Sequence, residues 1–203
     1  MSFGLLACSK GDNLRIVSPK DCRPLDAVEN AKNFVRSGKQ VRVEMTRDGQ
    51  PFASFIFHSD TRLEYADITG SSRDESYFVD GLIIEGPFAG VVNGENLPKY
   101  YSHPAKSSDV LQYFSNLENM AKAACETEHS FVSKGSLATF HYATSVLDER
   151  IEQSVGIDLS GGPFEDSIPK ASEICGSDGA GKVDGESIQK CPEGVRQATI
   201  QPS

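Results

Sequence analysis

The sequence predicts an α+β fold, an antiparallel sheet of about five strands in a meander packed against two or three helices, with an irregular Gly-rich C-terminal tail. Three observations predict it. Apolar residues recur at helical spacing over 24–37 and again over 109–125. Between those segments the period changes to two and holds through several runs separated by turn residues. After Gly156 glycines become frequent and aromatics rare.

The first helix is expected from Pro24 to about Ser37. Proline suits the first helical turn, where its missing N–H would be unpaired anyway. Leu25, Val28, Ala31 and Val35 form the core-facing stripe, and Gly38 is placed to end it. Val41, Val43 and Met45 then alternate with Arg42, Glu44 and Thr46, as in a half-buried strand. Asp48-Gly49 before Phe52–Phe57 is a hairpin signal, because both turn residues must accept positive φ. Further strands are expected at Arg62–Thr69, Tyr77–Glu85 and Phe88–Val92, with Gly86-Pro87 as a break. Short turns between them favour antiparallel neighbours. Asn96–Lys106, with Pro98 and Pro104, is expected to be a loop carrying Tyr100, Tyr101 and His103. A second helix is expected over Asp109–Cys125, capped by Ser108, with Val110, Phe114, Leu117, Ala121 and Ala124 on one face. A third is expected over Ser136–Ser154, on Leu137, Phe140, Thr144, Leu147 and Ile151. A strand at Leu137–Tyr142 followed by a shorter helix is the alternative, since β-branched residues disfavour the early turns.

Composition bounds the function. The 203 residues are 38% hydrophobic and 24% charged, which suits one domain of ordinary globular type. The net charge of −9 argues against a nucleic-acid backbone as partner, because phosphate binding is driven by Lys and Arg. It also disfavours unaided adsorption to anionic lipid. No apolar run is long enough to cross a membrane as a helix.

Leu5-Leu6-Ala7-Cys8 resembles the lipobox that closes a bacterial lipoprotein signal peptide. The resemblance implies that Cys8 carries lipid and becomes the mature N-terminus, and that Ser9 directs the protein to the outer membrane rather than to inner-membrane retention. Signal peptides have a basic first region and a longer apolar middle, whereas seven residues, none basic, precede Cys8 here. The reading therefore has Met1 lying within the signal, with a cytoplasmic protein carrying an accidental match as the alternative. The organisation expected is a signal remnant at 1–8, a tether at 9–23, an α+β domain at 24–156 and a tail at 157–203. Contact with the membrane is expected only through the lipid anchor at Cys8.

There are five cysteines. With Cys8 lipidated, Cys22, Cys125, Cys175 and Cys191 remain, enough for two disulfides in three connectivities. The preferred pairing is Cys22–Cys125, which staples one end of each helix, and Cys175–Cys191, which closes a short loop in the tail. All five reduced in the cytosol is the alternative.

No motif for catalysis, metal or cofactor binding is complete, so no cofactor is expected. Gly176–Val183 falls one residue short of a P-loop, since Val183 cannot offer magnesium a hydroxyl. Asp178, Asp184 and Glu186 lack the spacing of a calcium loop. His58, His103, His129 and His141 form no paired helical spacing, and no G-x-S-x-G elbow occurs. The function expected is a non-enzymatic, lipid-anchored periplasmic binding module, with an inhibitor or immunity-type protein capping a partner in the cell envelope as its concrete form. Tyr100, Tyr101 and His103 are the candidate contacts, because tyrosine offers apolar area with a polar tip. A small hydrolase with scattered site residues is the alternative.

Overall fold

The computed structural model describes residues 22–69, 72–87, 91–92, 95–96, 100–106, 110–146, 149–176 and 181–191. Cys8 and residues 9–21 of the expected tether lie outside these residues, as do Ser108 and Phe88.

Helix α1 spans Arg23–Arg36, with proline in its first turn, Asp26 near its N-terminus and Arg36 in its last turn. Both charges complement the helix dipole. Strands β1 (Gln40–Arg47), β2 (Gln50–Ser59), β3 (Arg62–Thr69), β4 (Ser72–Val79) and β5 (Leu82–Gly86) follow as an antiparallel meander. Strands β6 (Val91–Val92) and β7 (Glu95–Asn96) make a separate pair, and β8 (Tyr100–Pro104) returns beside β5. A 3₁₀ turn at Val110–Tyr113 leads into α2 (Phe114–Glu126). Strands β9 (His129–Lys134), β10 (Leu137–Val146) and β11 (Glu149–Gly161) then form a second meander. The chain ends with β12 (Ile174–Gly176), β13 (Lys182–Val183), β14 (Glu186–Ser187) and β15 (Gln189–Lys190).

Eleven of these strands build one sheet, in the order β15-β12-β8-β5-β4-β3-β2-β1-β11-β10-β9, and β13 pairs with β14 apart from it. All neighbours are antiparallel except β12, which runs parallel to β8 and β15. The expected α+β fold is therefore corrected. The protein is mostly β, built on a large mixed sheet with two helices among the described residues.

Three sequence elements account for the difference. The expected third helix is β10 and β11. Leu137 and Phe140, taken there as one helical face, are 46% and 0% exposed. The burial of Ala138, Phe140 and Tyr142 has period two, and Val155 and Ile157 repeat it on β11. The single strand expected over Tyr77–Glu85 is two strands joined by Asp80-Gly81, both at positive φ like Asp48-Gly49. The described part of the tail joins the sheet. Residues 157–161 finish β11, and β12 and β15 form the far edge of the sheet.

Both helices cover one face, called here the inner face. Val28, Ala31 and Val35 of α1 and Phe114, Leu117 and Ala121 of α2 pack on Val43, Phe57, Phe140 and Val155. The Phe57 and Phe114 rings stack 4.3 Å apart. A disulfide joins Cys22 to Cys125 at one end of the two helices, with Cα atoms 5.7 Å apart, and Lys32 bonds Glu118 at 2.7 Å further along the pair. The outer face is covered only in part. After β11 the chain crosses it and returns beyond β8, so Tyr77, Val79 and Ile84 are buried under Ala171, Val183 and Ile188. A second disulfide, Cys175–Cys191, has its Cα atoms 4.8 Å apart. Two bridges mark a protein of an oxidising, non-cytosolic compartment. No helix among the described residues is long and apolar enough to cross a membrane.

Candidate functional site

The densest group of titratable side chains lies where the crossing segment, residues 162–170, meets the outer face. Pleating places Glu64 on that face of β3, opposite to buried Leu63. Its Oε1 accepts from His58 Nε2 at 2.6 Å and from the Ser167 backbone N–H at 3.0 Å. Its Oε2 accepts from the Ser167 hydroxyl at 2.6 Å. Arg62 extends Nη2 to Asp166 at 3.0 Å and Nη1 to Asp184 at 2.6 Å, tying both the crossing segment and the β13–β14 turn to β3. Upstream, the Phe164 N–H donates to Gln40 at 2.5 Å, and the Arg42 guanidinium stacks 4.5 Å from the Phe164 ring.

The electrostatics follow from these contacts. Burial opposes ionisation of Glu64, but hydrogen bonds from His58 and Ser167 outweigh it and hold the carboxyl below its usual 4.5. Burial, with the neighbouring Glu75 carboxylate, pushes the Tyr77 phenol far up, and its hydroxyl donates to Glu75 at 2.7 Å. Asp184 is held below the ordinary carboxylate value by its bond to Arg62.

Ser167, Glu64 and His58 have the residue types of a nucleophilic triad in the wrong order. A serine nucleophile needs the imidazole beside its hydroxyl, to take the proton. Here the carboxylate sits between them and accepts from both. The donor atoms of His58, Glu64 and Asp166 lie within 4.8 Å of one another, close enough to hold a metal ion. Each already has a partner, however, and Arg62 contributes a positive charge on Asp166. A divalent cation there would have to displace those bonds and lie beside a guanidinium. The arrangement works as a clasp that fastens the crossing segment.

A second concavity of about 510 Å³ opens beside Arg47, Gln50, Phe52, Tyr65, Asp67 and Ile68. Arg47 lies 4.8 Å above the Phe52 ring, and burial followed by Asp67 raises the Tyr65 phenol. Nothing in it pairs a nucleophile with a base.

At the opposite end of the sheet, β9 has β10 on one side and no strand on the other among the described residues. Gly135-Ser136 turns β9 into β10 with Lys134 opposite Leu137. In a two-residue hairpin the flanking pair exchanges both hydrogen bonds, and the bonding alternates from there. The backbone N–H and C=O groups of His129, Phe131 and Ser133 therefore point away from β10, to the open side. Val132 and Leu137, diagonal neighbours on the outer face, are 56% and 46% exposed. They are the large apolar side chains left exposed among the described residues.

The residues singled out in the sequence fall elsewhere. Tyr100, Tyr101 and His103 lie on β8, between β5 and β12, rather than in a loop. Tyr100 meets Tyr77 edge-on at 5.9 Å, Tyr101 packs beside Cys175 and Cys191, and His103 lies 3.9 Å from Glu85. His141 is exposed on β10. Of these histidines only His58 meets a carboxylate within hydrogen-bond distance. The open edge escaped the sequence reading, although Gly-Ser between two alternating runs is itself a hairpin signal. The clasp had no local signal, because Arg62 and Glu64 find partners about a hundred residues away. No protein-family model matches this chain, and no curated protein matches it in sequence.

Proposed function

We propose that this protein is a non-enzymatic, lipid-anchored binding module of the periplasm, which takes a protein partner by strand addition at β9. The observation that carries the reading is the open edge of β9, with Val132 and Leu137 exposed beside it. Native proteins usually blunt such an edge, because its unpaired backbone groups recruit another strand. Strand addition draws affinity from main-chain bonds and specificity from alternate side chains. In the clasp Glu64 accepts from His58 and Ser167 and Arg62 holds Asp166 and Asp184, while His58 Nδ1 and Arg62 Nε are buried without a partner among the described residues. The two disulfides fit an oxidising envelope compartment, and Leu5-Leu6-Ala7-Cys8 with Ser9 supports an outer-membrane anchor. An inhibitor or immunity-type protein that caps its partner is the concrete form of this reading.

The test is a photo-crosslinking residue at Val132, with exposed Glu186 on β14, outside the eleven-stranded sheet, as control, in cells that make the full chain. The reading expects a saturable protein adduct from position 132 and none from 186. Equal labelling at both positions, or none at either, contradicts it.

A further inference from the structure

We propose that the strand added to β9 is β9 of a second copy, antiparallel and centred on Phe131, so that two sheets join into one across a two-fold axis. This rests on the reading of β9 as the binding edge and names its occupant.

Three features of the strand fit itself. The first is hydrogen-bond phase. The open-side groups belong to His129, Phe131 and Ser133, and a two-fold at Phe131 sets Phe131 against Phe131 and His129 against Ser133 of the other copy. Every open-side residue then faces another, giving about six backbone hydrogen bonds at two per bonded pair. The second is charge. In the same register Glu128, one step before the strand, stands opposite Lys134 of the other copy, and the symmetry makes the pair twice. Both lie on the outer face with Ser130 and Val132. The third is polar satisfaction. His129 Nε2 is buried without a hydrogen-bond partner among the described residues, and this register brings the Ser133 hydroxyl of the other copy opposite that residue. A shift by two residues, pairing Val132 with Val132, loses the Glu128–Lys134 match and sets Lys134 against Ser130.

The contact is small. Stable interfaces bury upwards of about 1,200 Å², more than a six-residue strand supplies. Pairing is therefore weak in dilute solution and favoured where anchoring confines both copies to one membrane.

The test uses cysteine pairs in the full chain. Ser130 and Val132 face each other across the proposed axis as a non-hydrogen-bonded pair, where Cα atoms lie within disulfide reach. Neither side chain is buried, so the variants fold. Ser130→Cys with Val132→Cys is expected to shift to about twice the monomer mass on a non-reducing gel, with peptides joining 130 to 132. Val132→Cys alone is expected to remain monomeric. Lys134→Glu should abolish the double-cysteine dimer, and adding Glu128→Lys should restore it. A dimer from Val132→Cys alone overturns the register. Absence of any dimer, with position 132 still photo-crosslinked to a different protein, overturns self-pairing and spares the edge reading. Absence of both overturns the two together.

Discussion

The two ends of the sheet solve the same problem in opposite ways. At the β8–β12–β15 end the outer face lies under the returning chain, the last strand is two residues long, and Cys175–Cys191 locks the layer. At the β10–β9 end the outer face is largely exposed, and the last strand runs six residues with one side unpaired among the described residues. Charged groups are divided the same way. Arg62, Glu64, Asp166 and Asp184 fasten the layer of the closed end where it crosses β3 at mid-sheet, whereas Lys134 and Glu128 at the open end lie exposed. The contrast teaches that Cys175–Cys191 and the Arg62 and Glu64 contacts secure the outer layer, as Cys22–Cys125 and Lys32–Glu118 secure the helices, and that β9 has no such tie among the described residues.

The strongest way to break the contrast is to release the closed end. Replacing Cys175 and Cys191 by alanine removes a loop closure worth about 3 kcal/mol in the chain-entropy model for its separation of 16. A fall of that size in denaturant unfolding is expected, together with protease cleavage within 162–191. Glu64→Ala should cost less, about 2 kcal/mol, by leaving the buried His58 and the Ser167 hydroxyl without their acceptor. Urea midpoints check it, and a loss below about 0.5 kcal/mol would mean that the clasp contributes nothing beyond an exposed contact.

Acid should loosen the same end by a smaller amount. The Glu64 carboxyl is lowered in the folded state, so its contribution is complete above its usual value of 4.5. That contribution is lost as the pH falls through the lower folded-state value. Glu64→Gln should flatten this part of the stability profile, and an unchanged acid limb would assign the loss to other carboxylates. The smallest effect is expected at the open end. Val132→Thr keeps the β-branched shape at an exposed site and should change stability by less than about 0.5 kcal/mol. It should nonetheless reduce labelling by a photo-crosslinking residue placed at exposed Ser130, and an equal loss of stability and labelling would mean that the residue is structural.

The same contrast explains what the sequence discloses. Helices α1 and α2 and strands β1 to β3 were legible, because each is a periodic run with its own turn or cap, such as Gly38 and Asp48-Gly49. Asp80-Gly81 carried the same signal but was hidden inside an apolar run that stays buried on both faces. The first part of β10 was legible only as the alternative strand at Leu137–Tyr142, and β11 was hidden by coincidence, since Leu137, Phe140 and Thr144 satisfy a helical spacing while Ala138, Phe140 and Tyr142 satisfy a strand. Nothing local could place Glu64 beside Ser167 or leave β9 outermost, because both depend on the order of eleven strands.

The measurement that tests the central claim most directly is residue-resolved amide hydrogen exchange along β9. In dilute protein His129, Phe131 and Ser133 should exchange quickly, while Ser130, Val132 and Lys134, bonded to β10, exchange slowly. Raising the protein concentration should slow the first three and leave the others unchanged. Protection of all six in dilute protein would show that the edge is already covered, and the binding reading would fall.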